Sequence, residues 1–174
     1  MEFSLKQFEV LLRLMVPYVV LAALVLVSQV KFPIASASLI KPYLILMFIY
    51  YWSIYRPTLV PPSLCFAVGL LVDSLSTLPL GLNAIIFIAV RWIMSDQRRF
   101  LMGQPYTTVW AVFAFVVLAV CLSQWALLGF VQGAWAPLTE HLVVAAVSLF
   151  VFPFISLLLV GVHKILPVST RVKV

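Results

Sequence analysis

The chain has 174 residues, of which 65% are apolar and only 9% are charged, and its mean hydropathy is +1.20. Soluble domains are roughly 45–50% apolar and about 25% charged, and a domain of this length buries only about 70% of the surface that its unfolded chain exposes. This composition excludes a soluble enzyme, a disordered chain and a nucleic-acid-binding protein. It predicts one integral membrane domain over residues 1–174, in which the net charge of +6 is an orientation signal.

Six apolar runs predict six transmembrane helices, so the expected fold is all-α and polytopic. A spanning helix needs about 20 apolar residues, which the first run and the last two supply. The three runs between them are shorter and would span by recruiting flanking residues or by thinning the bilayer locally. Five helices, or a re-entrant pair, are the alternative. The predicted helices are Leu14–Val30, Pro42–Tyr55, Pro61–Leu75, Leu82–Ser95, Tyr106–Val131 and Leu142–Val162.

Two of the long runs contain a proline. Pro17 is expected in the first turn of the first helix, where proline is tolerated. Pro153 is expected to kink the last helix. Residues 1–13 precede the first run and alternate apolar with charged side chains, which suits an amphipathic helix lying on the inner membrane surface.

The basic residues support an even number of spans. With six helices, nine of the 11 basic residues fall on one side of the membrane, and only Lys31 and Lys41 fall on the other. The positive-inside rule then places both termini in the cytoplasm, whereas dropping one middle helix would scatter these charges over both faces. The segments on the basic side are the N-terminus 1–13, the loops 56–60 and 91–105, and the basic C-terminus 163–174.

A cleaved signal peptide is the competing interpretation of the N-terminus. Residues 35–37 (Ala-Ser-Ala) resemble a small-residue cleavage site, and Lys6 and Arg13 would be its basic flank. The apolar stretch is 17 residues long, however, which exceeds the usual length of about 7–15 residues, and Lys31 intervenes before the site. We therefore expect the segment to be retained as the first helix.

Aromatic and basic residues mark the predicted cytoplasmic interface. Tyr51, Trp52 and Tyr55 lie where the second helix reaches that side, and Trp92 lies at the same depth on the fourth helix. Amphipathic rings are enriched at headgroup depth, and a long arginine stem lets its charge reach the headgroups. We expect these four rings and Arg91 to anchor the protein in the membrane.

Arg56 and Pro57 follow this aromatic group. The proline stops the second helix, and the arginine holds that end at the inner headgroups. The loop Arg56–Pro62 is therefore predicted to be a rigid cytoplasmic corner and not a catalytic site.

Few side chains are suited to chemistry. His141 and His163 would lie on opposite faces of the membrane and cannot share a site, while Cys65 and Cys121 lie in apolar runs, where a thiol behaves as a small hydrophobe. The sequence contains no nucleophile elbow, no zinc-binding helix motif and no glycine-rich phosphate loop. We expect no catalytic residue, no metal and no cofactor.

Asp73 is an acid near the outer end of the third helix, and intramembrane ionisable residues are costly and often functional. Gly69 lies one turn earlier on the same face, where it admits a close helix contact. Two interpretations remain open. The carboxylate accepts hydrogen bonds from the free N–H groups at Gly81–Asn83, at the start of the fourth helix, or it contacts a ligand or partner. Direct pairing with Arg91 is not expected, because about ten residues of helix separate Arg91 from that start.

The turn before the fourth helix is suited to bringing these groups together. Pro79 has a fixed φ, and Gly81 permits backbone shapes that other residues avoid. We expect this hairpin to form the outer rim of a groove that receives the membrane helix of a partner. The predicted interface residues are Gly69, Asp73, Pro79, Gly81 and Asn83.

Residues 51–84 resemble the rod shape-determining protein MreD family. The segment Tyr51–Pro61 has the family's Tyr-Trp…Arg-Pro step, and Gly69–Ala84 has its Gly-Leu-x-x-Asp, short polar turn and Pro-Leu-Gly-x-x-Ala. Asn83 stands where many members carry histidine. The other helices agree with the family in length and hydropathy but contribute no motif.

The resemblance implies a non-catalytic scaffold subunit of the elongasome in the bacterial inner membrane. Members of the family are found beside MreC and connect the cytoskeletal MreB with the wall synthases, which are the RodA glycosyltransferase and a class B penicillin-binding transpeptidase. The resemblance also implies a fold similar to the substrate-binding subunits of energy-coupling-factor transporters. The expected contacts are these proteins and membrane lipids, with no nucleic acid.

Two other classes of function are considered. A substrate-binding subunit of a vitamin or metal transporter would have the same number of helices, and such subunits commonly dock through an Ala-x-x-x-Ala motif in the first helix. Here Ala22 and Ala23 are followed four residues later by Leu26 and Val27, so that motif is absent. An enzyme acting on a lipid-linked substrate is disfavoured because the chain lacks a cluster of catalytic groups.

Overall fold

The computed structural model describes residues 2–29, 42–76, 79–133, 135 and 137–166, and over these residues the chain is all-α. Strands are absent from this part of the chain. Six long helices and one short one follow each other in sequence. They are α1 Glu2–Gln29, α2 Leu44–Tyr55, α3 Pro62–Leu75, α4 Leu82–Asp96, α5 Arg98–Leu101, α6 Tyr106–Gln132 and α7 Leu138–Ile165.

Each of the six predicted runs forms a helix, and α5 is an additional short one. The N-terminal stretch, predicted as a separate surface helix, is continuous with α1. Pro17 therefore lies in the interior of α1 and not in its first turn. Its ring is buried, so packing offsets the backbone hydrogen bond that proline cannot donate. Lys31, Lys41 and the candidate cleavage site at 35–37 lie outside the described residues, as do residues 167–174.

Among the described residues, two helices are long and apolar enough to cross a membrane, in the segments Tyr106–Val131 of α6 and Leu138–Lys164 of α7. Shorter apolar helices occur at Arg13–Gln29, Leu44–Tyr55 and Pro62–Leu75. The two long helices also expose large apolar side chains. A lipid environment stabilises such exposure, whereas water does not. The most exposed of these rings are Phe115, Phe130 and Phe150.

The core is built around α2. Every residue from Leu44 to Ile54 is buried, because α2 is surrounded by α1, α4, α5 and α7. A helix that is apolar on all sides is expected at the centre of a bundle. Around this centre, α3 packs chiefly on α4, and α6 packs chiefly on α7.

The antiparallel helices give the bundle two ends. At the corner end, α2 stops and the chain turns through residues 56–61 into α3. At the hairpin end, α3 stops and the chain returns through Gly81 into α4. The predicted functional residues divide between these two ends.

Candidate functional site: a polar cluster at the hairpin end

Asp73 lies at the C-terminal end of α3, and only 1% of its surface is exposed. Its Oδ2 accepts a hydrogen bond of 2.9 Å from the backbone N–H of Gly81. The backbone N–H of Asn83 lies 3.2 Å from both carboxylate oxygens, and the Asn83 side-chain amide donates to Oδ1 at 2.7 Å. The carboxylate thus caps the N-terminus of α4, where the helix dipole stabilises a negative charge.

The backbone of Gly81 makes this cap possible. Gly81 is the N-cap of α4 and has a φ of 97°, in the left-handed region that residues with a Cβ rarely adopt. Its carbonyl accepts the first helical hydrogen bond, from Ile85 at 3.0 Å, while its N–H donates to Asp73. Pro79 contributes a carbonyl that lies 3.3 Å from the N–H of Leu82.

Gly69 brings α3 and α4 into close contact. A Cβ atom built on Gly69 would overlap the backbone N and Cα of Ala84. The close helix approach predicted at Gly69 is therefore made within this chain, against α4. Gly69, Asp73 and Asn83 are all buried within this chain, so their contacts described here are with other helices of the same protein, and the predicted partner interface stays a prediction.

The polar contacts continue from Asn83 into other helices. Its Oδ1 accepts a hydrogen bond of 2.7 Å from the amide of Gln124 in α6. The Gln124 carbonyl oxygen accepts one of 2.7 Å from the hydroxyl of Tyr43, the residue before α2. The backbone N–H of Tyr43 donates to the hydroxyl of Ser148 in α7 at 2.9 Å. We call these five residues, Tyr43, Asp73, Asn83, Gln124 and Ser148, the hairpin cluster.

Asp73 determines which atom of each side-chain amide in the hairpin cluster donates and which accepts. An ionised carboxylate only accepts hydrogen bonds, so the Asn83 amide nitrogen faces it and the Asn83 oxygen faces Gln124. The same reasoning directs the Gln124 oxygen to the hydroxyl of Tyr43. In this orientation one chain of hydrogen bonds connects the start of α2, the end of α3, the start of α4 and the interior of α6.

At the corner end, Arg91 of α4 binds the loop between α2 and α3. Its Nε donates to the carbonyl of Val60 at 2.9 Å, and its Nη2 lies 3.4 Å from the carbonyl of Pro57. The half-buried guanidinium of Arg91 thus binds two backbone carbonyls of the corner, a role that the sequence did not predict, and its predicted contact with headgroups stays a prediction. α2 ends at this corner, where the backbone N–H of Arg56 donates a hydrogen bond of 2.8 Å to the backbone carbonyl of Trp52.

The aromatic group at this end lies mostly inside the protein. Trp52 is completely buried and stacks on His163 of α7, with ring centroids 5.7 Å apart and planes at 5°. Tyr51 is also buried, and Tyr55 meets the same histidine edge-on. Membrane anchoring by Tyr51 and Trp52 is thus corrected to packing between α2 and α7. Trp92 is 74% exposed and keeps the exposure that an anchor needs.

The family comparison decides the relationship of this chain to known proteins. A family model described as rod shape-determining protein MreD matches residues 8–161. The chain belongs to the MreD family. The matched range contains the corner and the whole hairpin cluster. Comparisons with curated proteins and with solved structures found no match.

MreD membership implies a role in rod shape determination. Together with the two helices that are long enough to span, it identifies a membrane protein. Within the described part of this MreD protein, no group of three or more His, Cys, Asp and Glu side chains is placed to hold a metal ion. The chemistry that the hairpin cluster offers is hydrogen bonding between helices.

Three members of the hairpin cluster were missed by the sequence reasoning. Gln124 and Ser148 are polar residues inside long apolar runs, and such residues often bind neighbouring helices, so their position was an available signal. Nothing in the sequence indicated Tyr43, because its hydroxyl reaches Gln124 only when α2 packs against α6 and α7.

Proposed function

We propose that the chain is a non-catalytic membrane scaffold subunit of the bacterial elongasome, linking MreC and the cytoskeletal MreB to the RodA glycosyltransferase and a class B penicillin-binding transpeptidase. The observation that carries this proposal, beside family membership, is the hairpin cluster. Its only acid is fully engaged in capping α4, and its two amides join helices to each other. Such an arrangement supports a role in which the cluster holds the helices that present a contact surface.

In the proposed topology, the chain crosses the bacterial inner membrane six times and both termini lie in the cytoplasm. The corner end then faces the cytoplasm and the hairpin end faces outward. The excess of basic residues on the corner side supports this orientation. A reporter that is active only outside the cytoplasm, fused after Val174, is expected to stay silent, and an active reporter would contradict the topology.

The proposed contact surface for the MreC membrane helix is the exposed edge of the hairpin. Leu80 at its tip is 72% exposed and Leu75 at the end of α3 is 52% exposed. Leu75 lies two residues after Asp73, and Leu80 precedes Gly81, whose backbone N–H binds Asp73, so the cap holds both leucines in place. The contact is thus apolar, and the acid acts through the backbone that it positions.

The experiment is co-purification of MreC with the intact protein in mild detergent. Leu80→Asp is expected to reduce recovered MreC severalfold, because a charge replaces an exposed apolar contact at the tip of the turn. Thr139→Asp is the matched control, since Thr139 is exposed in the first turn of α7. Equal recovery of MreC with both variants would overturn the hairpin surface. A vitamin or metal bound in place of MreC would favour the transporter alternative.

A further inference from the structure

A groove runs between α4 and α6 on the surface of the bundle. It has a volume of about 380 Å³ and extends from Ile85 to Met94 on α4 and from Phe115 to Leu127 on α6. Its lining is apolar except for Ser123, whose hydroxyl is bonded to the carbonyl of Val120 in its own helix. The groove therefore offers no polar partner along its length.

The length of the groove indicates which apolar molecule fits it. The α4 wall covers about 14 Å and the α6 wall about 18 Å at the usual rise of 1.5 Å per residue. The hydrocarbon core of a bilayer is about 30 Å thick, so the groove matches one leaflet. A partner helix that crosses the membrane would need a groove about twice as long, whereas the acyl chain of a lipid fits within one leaflet.

The two ends of the groove differ. At the hairpin end, the hydrogen bond between Gln124 and Asn83 joins α6 to α4 and closes it. At the other end, α5 begins four residues after Met94 with two adjacent arginines, Arg98 and Arg99. The Nε of Arg98 is buried and has no hydrogen-bond partner within the described residues, and Arg99 is exposed.

Three exposed aromatic rings lie within eight residues of the two arginines in sequence. Trp92, Phe100 and Tyr106 all present at least half of their surface. Rings of this kind are enriched where hydrocarbon meets headgroups. The arginines thus lie at headgroup depth, and the groove leads from them into the hydrocarbon.

We propose that this groove is a binding site for an anionic phospholipid, with one acyl chain between α4 and α6 and the phosphate against Arg98 and Arg99. Basic pockets between membrane helices recognise anionic headgroups, and arginine matches phosphate with paired N–H donors. The proposed site combines an apolar slot of one-leaflet length with the two cations that follow its α4 wall four and five residues after Met94. It does not depend on the proposed contact with MreC, which lies at the hairpin edge.

The test is a lipid titration of the delipidated, full-length protein by native mass spectrometry. Dioleoyl phosphatidylglycerol is compared with dioleoyl phosphatidylcholine, which has the same chains and no net charge. We expect tighter binding of phosphatidylglycerol, and a loss of about fivefold in affinity for each arginine changed to alanine. The charge control is Arg13→Ala with Lys164→Ala, which removes two other exposed cations and is expected to leave affinity unchanged.

The apolar slot is tested separately. Ala119 lines the groove and is exposed, so Ala119→Trp fills the slot without entering the core. It is expected to weaken phosphatidylglycerol binding at least fivefold, while Ala146→Trp, at an exposed alanine of α7, is expected to have no effect. Arg98→Lys with Arg99→Lys retains both charges and is expected to bind phosphatidylglycerol more tightly than the double alanine variant. That difference would show that the alanine variants lose affinity through the lost charges and not through lost folding.

Three results would overturn the proposal. They are equal affinity for the two lipids, unchanged affinity after both arginines become alanine, and unchanged affinity with Ala119→Trp. Oxidation by added copper phenanthroline, with a cysteine at position 119 and another introduced in the membrane helix of a partner, would give a disulfide only if that helix occupied the groove, and such a disulfide would also overturn the proposal.

Discussion

The side-chain amide of Gln124 donates a 2.7 Å hydrogen bond to the side-chain oxygen of Asn83 and so connects α6 to α4 beside the cap on Asp73. Gln124 lies in the C-terminal half of an apolar helix of 27 residues, eight residues before its end. An unpaired amide at that depth is costly, because no water is present to replace the lost partner. This side chain thus supplies a polar link between α6 and the hairpin, in addition to the packing of α6 on α4 and α7.

Gln124→Leu is expected to lower the stability of the protein by about 1–2 kcal/mol, because two hydrogen bonds between helices are lost. The measurement is thermal or denaturant unfolding in detergent micelles. Ser123→Ala is the control, since the Ser123 hydroxyl bonds only within α6 among the contacts described. A Gln124→Leu variant as stable as the control would show that the cluster does not hold α6.

Asp73→Asn is expected to destabilise the protein by about 1 kcal/mol, and Asp73→Ala by more. Both carboxylate oxygens accept hydrogen bonds, so an asparagine would turn its amide nitrogen toward a donor. The check is unfolding together with MreC recovery, and both should decline together. Loss of MreC with normal stability would instead indicate direct contact between Asp73 and the partner.

Gly69→Ala is expected to destabilise the protein by about 1–3 kcal/mol, because the new methyl group overlaps the backbone of Ala84. Gly161→Ala is a matched control in α7, where a Cβ meets no atom within 4 Å. The control should be neutral or slightly stabilising, since alanine favours a helix over glycine. Two variants of equal stability would contradict the close packing of α3 on α4.

Arg91→Lys is expected to loosen the corner, although it keeps the charge. One guanidinium reaches the carbonyls of Val60 and Pro57 together, whereas an ammonium group cannot reproduce that geometry. Faster protease cleavage within residues 56–61 would report the change. Arg99→Lys, at an exposed site, should leave cleavage unchanged, and equal rates in the two variants would count against the assigned role.

The starts of α3, α4 and α6 and the Asp73 cap were accessible from sequence because they are local. Pro61, Gly81 and Pro105 mark the starts of α3, α4 and α6, and only ten residues separate Asp73 from Asn83. Such short-range features follow from backbone preferences and helix-end chemistry.

Residues that depend on packing between distant helices were not accessible. Trp52 has the ring chemistry of an interfacial anchor, and only the placement of α7, more than a hundred residues later, buries it against His163. Arg91 likewise was expected at the headgroups, because nothing near it in sequence indicated the carbonyls of the corner. Side chains that suit both an interface and an interior are assigned by tertiary structure alone.

The cap on Asp73 has a consequence for biosynthesis. A nascent chain that enters the bilayer with a bare carboxylate meets a large barrier, but here the amides that solvate Asp73 belong to the next helix, which is synthesised directly afterwards. In the proposed six-span topology, α3 and α4 would thus enter the bilayer as a pair, with the carboxylate already hydrogen-bonded to the helix end. Gln124 is synthesised about 40 residues later, and its amide then donates to the side-chain oxygen of Asn83 in the hairpin that has already formed.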